Sequence, residues 1–381
     1  MHHRRRQACG DRGGRARASG IPALARHPAR LQVWLRRLAV LGFTLMASGC
    51  STLGYYAHVT SGEMHLLARR RPLNQVIADP ATDAQLRARL ELALAARAFA
   101  SDHLHLPRNR SYTSYVALDR PYVAWNVFAT PEFSVAPVTH CFPFAGCVAY
   151  QGWFDRARAE HQAARLAARG DDVAVQGVTA FSTLGWFADP LLSSMLRWSD
   201  DELAGVIFHE LAHQLLYVRG DTAFNESFAS FVQQEGLREW RTARGLAPPD
   251  GARAAHDRAF TQLVLDLRDR LRRLYAEPLP TDAMRARKQG EIAAFRQQYL
   301  RLRDTQWHGD ARWDAWMGVP INNARLVPFG LYERWVDAFD ALFRAADGDW
   351  LKFYARVAAL AREDPSQRDA ELARWAASSA H

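Results

Sequence analysis

The chain is poor in several things, and each shortage excludes something. It has four cysteines in 381 residues, too few for a disulfide-built scaffold. It shows no apolar run of the about 20 residues that a membrane-spanning helix needs. It has no internal repeat and no long low-complexity linker after residue 50. It also lacks a charge imbalance where one would matter. The formal net charge is +9, but residues 1–49 carry ten arginines and one aspartate, leaving 39 basic and 39 acidic residues from Cys50 onward. The basicity belongs to the leader, and the body has no electrostatic footprint for nucleic acid.

The leader itself reads as an export signal. Arg36-Arg37 precede a short apolar run over 38–46, followed by Ala47-Ser48-Gly49-Cys50. The run is the length of a signal-peptide core rather than a membrane span. Small residues before a cysteine resemble a bacterial lipobox. Cys50 is then the acylated first residue of a mature lipoprotein, anchored to a membrane and expected at the outer membrane facing the periplasm. An uncleaved anchor or a plain signal peptide is the alternative. Of the other cysteines, Cys9 lies in the leader. Cys141 and Cys147 are expected to form a loop disulfide in an oxidising compartment, the alternative being two reduced core thiols.

The richest stretch is His209-Glu210-Leu211-Ala212-His213. Ser199 and Glu202 have capping-box spacing, which predicts a helix over 200–218 ended by Gly220. Leu203, Val206, Ile207, Leu211, Leu215 and Leu216 follow its period. Positions four apart share one helical face. Both imidazoles can therefore reach one metal ion, with Glu210 beside it as general base for a bound water. The expected cofactor is zinc.

A catalytic zinc site needs a third protein ligand. The metzincin pattern would put glycine and histidine at 216 and 219, where Leu216 and Arg219 stand. Downstream, Phe224-Asn225-Glu226-Ser227-Phe228-Ala229 predicts a second helix over 225–240, with Asn225 as N-cap. This segment resembles the NE-x-F-A helix of gluzincin aminopeptidases, which implies Glu226 as the third ligand. Asp221 is the other carboxylate within reach. With Glu226 ligating, Asp221 is expected either to orient an imidazole or to be a turn residue.

Elsewhere the pattern predicts an α+β chain, mostly helical. Strands are expected over 122–129, 133–136 and 172–181, and a helix over 154–169. A helical hairpin over 254–303, broken at 278–280, and helices over 331–345 and 350–362 complete it. The expected organisation is a leader (1–49), a zincin-like catalytic region (50–245) with a small sheet before the two metal helices, and a helical region (246–381).

Tyr55-Tyr56, Arg70-Arg71-Pro72, Asn109-Arg-Ser-Tyr-Thr-Ser-Tyr, Phe144-Ala-Gly-Cys-Val-Ala-Tyr-Gln-Gly-Trp-Phe, Ser182-Thr-Leu-Gly-Trp-Phe, the HELAHQ and NESFA blocks and Asn322-Asn-Ala324 resemble the putative aminopeptidase family of bacterial lipoproteins. The resemblance runs through nearly the whole chain after Cys50. It implies zinc-dependent hydrolysis of peptides at a free N-terminus; the residues alone say metal hydrolase.

On that reading Tyr332 is the candidate oxyanion donor or else a core tyrosine. Asn322 and Asn323 either bind the substrate backbone or cap the next turn. An edge strand near 173–180 could align a peptide by backbone pairing. A non-catalytic zinc-binding envelope lipoprotein is the rival from another class. An endopeptidase or cell-wall peptide hydrolase is the rival within this chemistry.

Overall fold

The computed structural model describes residues 54–142, 146–180, 182–183, 185–329 and 334–378. Cys50, the leader and Tyr332 lie outside them. Most described residues are helical, and the strands are short, as expected of a mostly helical α+β chain. No helix among the described residues is long and apolar enough to cross a membrane.

Among the described residues the strands make two three-stranded sheets and a hairpin. In the first, β2 (Ser114–Val116) runs between β1 (Arg71–Pro72), antiparallel, and β8 (Leu191–Leu192), parallel. In the second, β3 (Ala124–Pro131) lies between β6 (Tyr150–Trp153) and β7 (Asp171–Val178), antiparallel to both. The hairpin is β4 (His140–Phe142) with β5 (Gly146–Val148), where Cys141 pairs with Cys147 in register and through a disulfide. Residues 133–136, which alternate like a strand, form turns instead. Ser134 accepts from the backbone N–H of Ala136, and its own N–H bonds the Pro131 carbonyl, so the chain leaves the ladder at Pro131.

From Ala57 onward the chain forms one compact unit. Its main core lies around the helix Asp200–Leu215, here termed the motif helix, and the helix Thr222–Ala243, here termed the carboxylate helix. The long N-terminal helix Ala84–Asp102 and the late helices Val336–Arg344, Trp350–Leu360 and Pro365–Ser378 contribute to the same core. Core residues from both sides of position 245 thus share one cluster. Phe224, Phe228 and Phe231 meet Phe339, Phe343 and Phe353 there. The hairpin Gly251–Tyr275 and Thr281–Thr305 has a second core, centred on Phe260, Phe295 and Tyr299.

The second core is joined to the sheet by a buried polar knot. Lys288 Nζ, almost fully buried, donates to Asp172 Oδ2 (2.6 Å) and to the Glu132 carbonyl (2.9 Å). Asn323 completes it. Its N–H donates to Asp172, its side-chain amide donates to the Glu132 carbonyl, and its oxygen accepts from the Tyr275 hydroxyl. A buried cation and amide are tolerated because they are hydrogen-bonded on several sides.

A candidate metal centre

The motif helix starts where the capping box directs it. Ser199 Oγ accepts from the Glu202 N–H, and the Glu202 carboxylate accepts from the Ser199 N–H (2.8 Å). Leu203, Ile207, Phe208, Leu211 and Ala212 bury one face completely. That packing turns the His209 and His213 side chains toward the carboxylate helix. The helix ends at Leu215, three residues before the expected end, because Leu216 is already extended.

A tight connection then brings the third donor in. Gly220 takes φ +81°, a conformation open to glycine at little cost. Asp221, not Asn225, is the N-cap of the carboxylate helix, accepting from the Phe224 N–H (3.0 Å). Asn225 sits inside the helix, fully buried, and grips the connection at one residue. Its oxygen accepts from the Val218 N–H and its amide donates to the Val218 carbonyl, each at 2.7 Å. Glu226 follows at once, so the residue beside it locks the turn that separates it from His213.

The three donors converge. His209 Nε2 and His213 Nε2 are 3.2 Å apart, and Glu226 Oε2 is 3.4 Å from the first and 3.7 Å from the second. A tetrahedral ion held at about 2.1 Å from each ligand needs donors about 3.4 Å apart. The triangle therefore has the dimensions of a divalent-metal site, with mixed imidazole and carboxylate donors of the type that zinc accepts. Burial alone would raise the Glu226 carboxyl. Hydrogen bonding to His209 and His213, with their charge, outweighs it and takes the group down to about 2. A carboxylate so held stays ionised, as a metal ligand must.

Glu210 is not one of the three. Burial pushes its carboxyl up to about 7; His209 opposes the shift, and Glu226 and Asp189 add to it. A carboxyl whose affinity for protons is near neutral can both take and return one.

Several residues around the centre were given no role from the sequence, although Gln214 and Tyr112 lie in the family-like blocks. Gln233 Oε1 lies 3.1 Å from His209 Nδ1; it is seven residues, two helical turns, beyond Glu226 and so on the same face. Gln214 donates to Asp189 Oδ2 (2.9 Å) and accepts from Asn109 (2.7 Å), tying the motif helix to two loops. Asp189, fully buried, also accepts from Ser182 and Thr183. Tyr112 is buried at a left-handed φ of 61°, and its hydroxyl has no hydrogen-bond partner among the described residues. Burial and then the Glu210 charge raise its phenol well above the usual range. The Tyr217 ring stands 6.3 Å from that of His213.

Asp221 and Asn322 take the turn and capping roles left open for them, and Asn323 takes neither of its two. Asp221 orients no imidazole: one oxygen caps the helix, and the other accepts twice from Arg368, at 3.0 and 2.6 Å. Asn322 caps a short helical turn (Arg325 N–H, 3.1 Å) and donates to the Val173 carbonyl (2.9 Å). Asn323 is consumed in the Lys288 knot and is buried. Both asparagines hold the sheet to the second core, and their polar groups are already used.

The family model described as putative aminopeptidase matches residues 54–372. The chain belongs to that family. The match takes in all three donor residues and Glu210, and membership supports peptidase chemistry in general terms. No curated protein and no solved structure matches the chain.

Proposed function

We propose that the protein is a zinc-dependent aminopeptidase of the bacterial envelope, with a zincin-like catalytic region. One observation carries this reading: a donor triangle of 3.2, 3.4 and 3.7 Å with a fourth, non-converging carboxyl, Glu210, beside it. A purely structural metal site has no use for that extra carboxyl. His209, His213 and Glu226 hold the ion. When bound, zinc polarises a peptide carbonyl and makes water acidic enough to attack near neutral pH. Glu210 takes the proton of the attacking water and delivers it to the leaving amine. Its elevated proton affinity suits both transfers.

Strand β7 lies at the edge of its sheet, which beyond Val173, whose carbonyl Asn322 occupies, suits pairing with an extended peptide. A small sheet that precedes two ligand-bearing helices is consistent with the zincin-like architecture. The location rests on the apolar run 38–46 and the ending at Cys50. The Cys141–Cys147 disulfide agrees with an oxidising compartment. Peptides are the proposed substrates, and a lipid on Cys50 the proposed link to the membrane.

The test is metal content together with a panel of peptides with free and blocked N-termini. About one zinc per chain and cleavage only of free N-termini supports the proposal. Cleavage of blocked peptides would make the enzyme an endopeptidase. Bound zinc with no cleavage of either set would make it a metal-binding lipoprotein.

A further inference from the structure

Gly205 is an anomaly in the motif helix. It sits mid-helix at an ordinary helical position, one turn before His209, with no unusual φ to require it. Glycine is the poorest helix former after proline, so its place there needs another reason. A Cβ at 205 would stand 3.2 Å from both Cγ and Nε2 of Gln233 and 3.5 Å from Cδ. The glycine leaves the space in which that side chain lies. From this position Gln233 Oε1 reaches His209 Nδ1 at 3.1 Å.

We propose that Gly205 and Gln233 form a positioning pair that sets the tautomer and ring orientation of His209. This rests on His209, His213 and Glu226 being the metal centre. An imidazole that binds a metal through Nε2 must keep its proton on Nδ1, and an acceptor opposite Nδ1 enforces that choice. The Gln233 carbonyl is that acceptor. Its amide Nε2 faces the flat surface left by Gly205. The carboxylate helix thereby supplies both a ligand, Glu226, and, two turns on, the group that prepares another ligand on the neighbouring helix.

The first measurement needs no substitution. In metal-free protein at mildly alkaline pH, where imidazole is neutral, nitrogen NMR should find the His209 proton on Nδ1. A proton on Nε2 overturns the proposal. The second is zinc affinity by competition with a chelator. Gln233→Leu should bind zinc about 10- to 100-fold more weakly. Gln233→Glu, which keeps an acceptor, should restore affinity to within a few-fold of wild type. Gly205→Ala should weaken zinc binding in the same direction, although alanine favours the helix. Its effect should vanish in the Gln233→Leu background, where there is no amide to displace.

Wild-type affinity in Gln233→Leu, or Gln233→Glu as poor as Gln233→Leu, would refute the role. Neither readout depends on peptide cleavage. A protein that shows these effects yet cleaves no peptide would keep this inference and lose the aminopeptidase reading. A protein that cleaves peptides with His209 protonated on Nε2 would do the reverse.

Discussion

Arg368 donates from both Nε (3.0 Å) and Nη2 (2.6 Å) to a single oxygen of Asp221. The last helix of the chain thus clamps the turn that connects two of the proposed ligands. The guanidinium is almost fully buried, lies 5.4 Å from the centre of the Phe224 ring and also bonds the Glu363 carbonyl. Removing one partner of such a pair strands the other's charge. Asp221→Asn keeps a capping oxygen but loses the charge, and should cost roughly 2–3 kcal/mol of stability. Zinc per chain should be unchanged. Denaturant titration beside metal analysis checks this; loss of zinc at full stability would make Asp221 a ligand after all.

The four motif residues should separate by role. His209→Ala, His213→Ala and Glu226→Ala each remove one corner of the donor triangle and should lose metal. Glu210→Gln keeps the triangle and should keep metal, while hydrolysis falls by about 10²-fold or more. Zinc content and turnover of an aminoacyl reporter, measured on the same samples, decide it. A fully active Glu210→Gln would exclude Glu210 as the base.

The disulfide hairpin rests on the turn after the motif helix. A Cβ added at Gly146, which has φ +78°, would lie 2.8 Å from the Gly220 backbone nitrogen. Gly146→Ala therefore meets both strain and backbone. It should destabilise the protein by about 1–3 kcal/mol and weaken zinc binding by disturbing the turn. Cys141→Ser with Cys147→Ser closes no loop but forces no clash. It should cost about 2 kcal/mol or less and leave zinc affinity closer to wild type. Thermal melts and chelator competition on both variants test the ordering.

Glu63 provides a pH dependence. It is nearly buried, with one carboxyl oxygen unpartnered. Burial, then the charge of Asp189, raises its carboxyl from 4.5 to about 7, against the pull of Arg70. Between those values the folded state keeps a proton that the unfolded chain has released. Stability therefore falls as pH rises through that window and levels off above it. Glu63→Gln removes this contribution. It should gain on the wild type from about pH 5 to about pH 7, by roughly 3 kcal/mol at most. Parallel urea curves across the window should diverge; parallel traces would mean that Glu63 ionises normally.

Maturation at Cys50 is the remaining expectation. Mass spectrometry of protein purified from membranes should find an acylated Cys50 as the first residue. Cys50→Ser should give unprocessed or soluble protein. A mature N-terminus elsewhere would remove the lipid anchor from the proposal.

What the chain states by itself is what local periodicity can carry. His209 and His213 share a face because a helix repeats every 3.6 residues. The Ser199–Glu202 cap is a three-residue relationship, and both halves of it are made. The short turn after His213 put both Asp221 and Glu226 within reach, and resemblance to the NE-x-F-A helix favoured Glu226. The strands β3 and β7 were legible from β-branched and aromatic residues, with ends misplaced by one to three residues.

What only the tertiary structure decided are pairings across long stretches of chain. Asp221 read equally as a partner for an imidazole or as a turn residue, and nothing near it announces Arg368, 147 residues on. Asn322 and Asn323 could equally contact substrate or cap the next turn until Val173, Asp172 and Glu132 took their hydrogen bonds. Gln233 and Asp189 carry no motif, and Tyr112 lies in a family-like block that names no role for it. They matter because of which helix and loop faces pack together around the donors. A hydrogen-bonding side chain is satisfied by whichever partner the fold brings within about 3 Å, and packing of distant segments, not spacing along the chain, selects that partner.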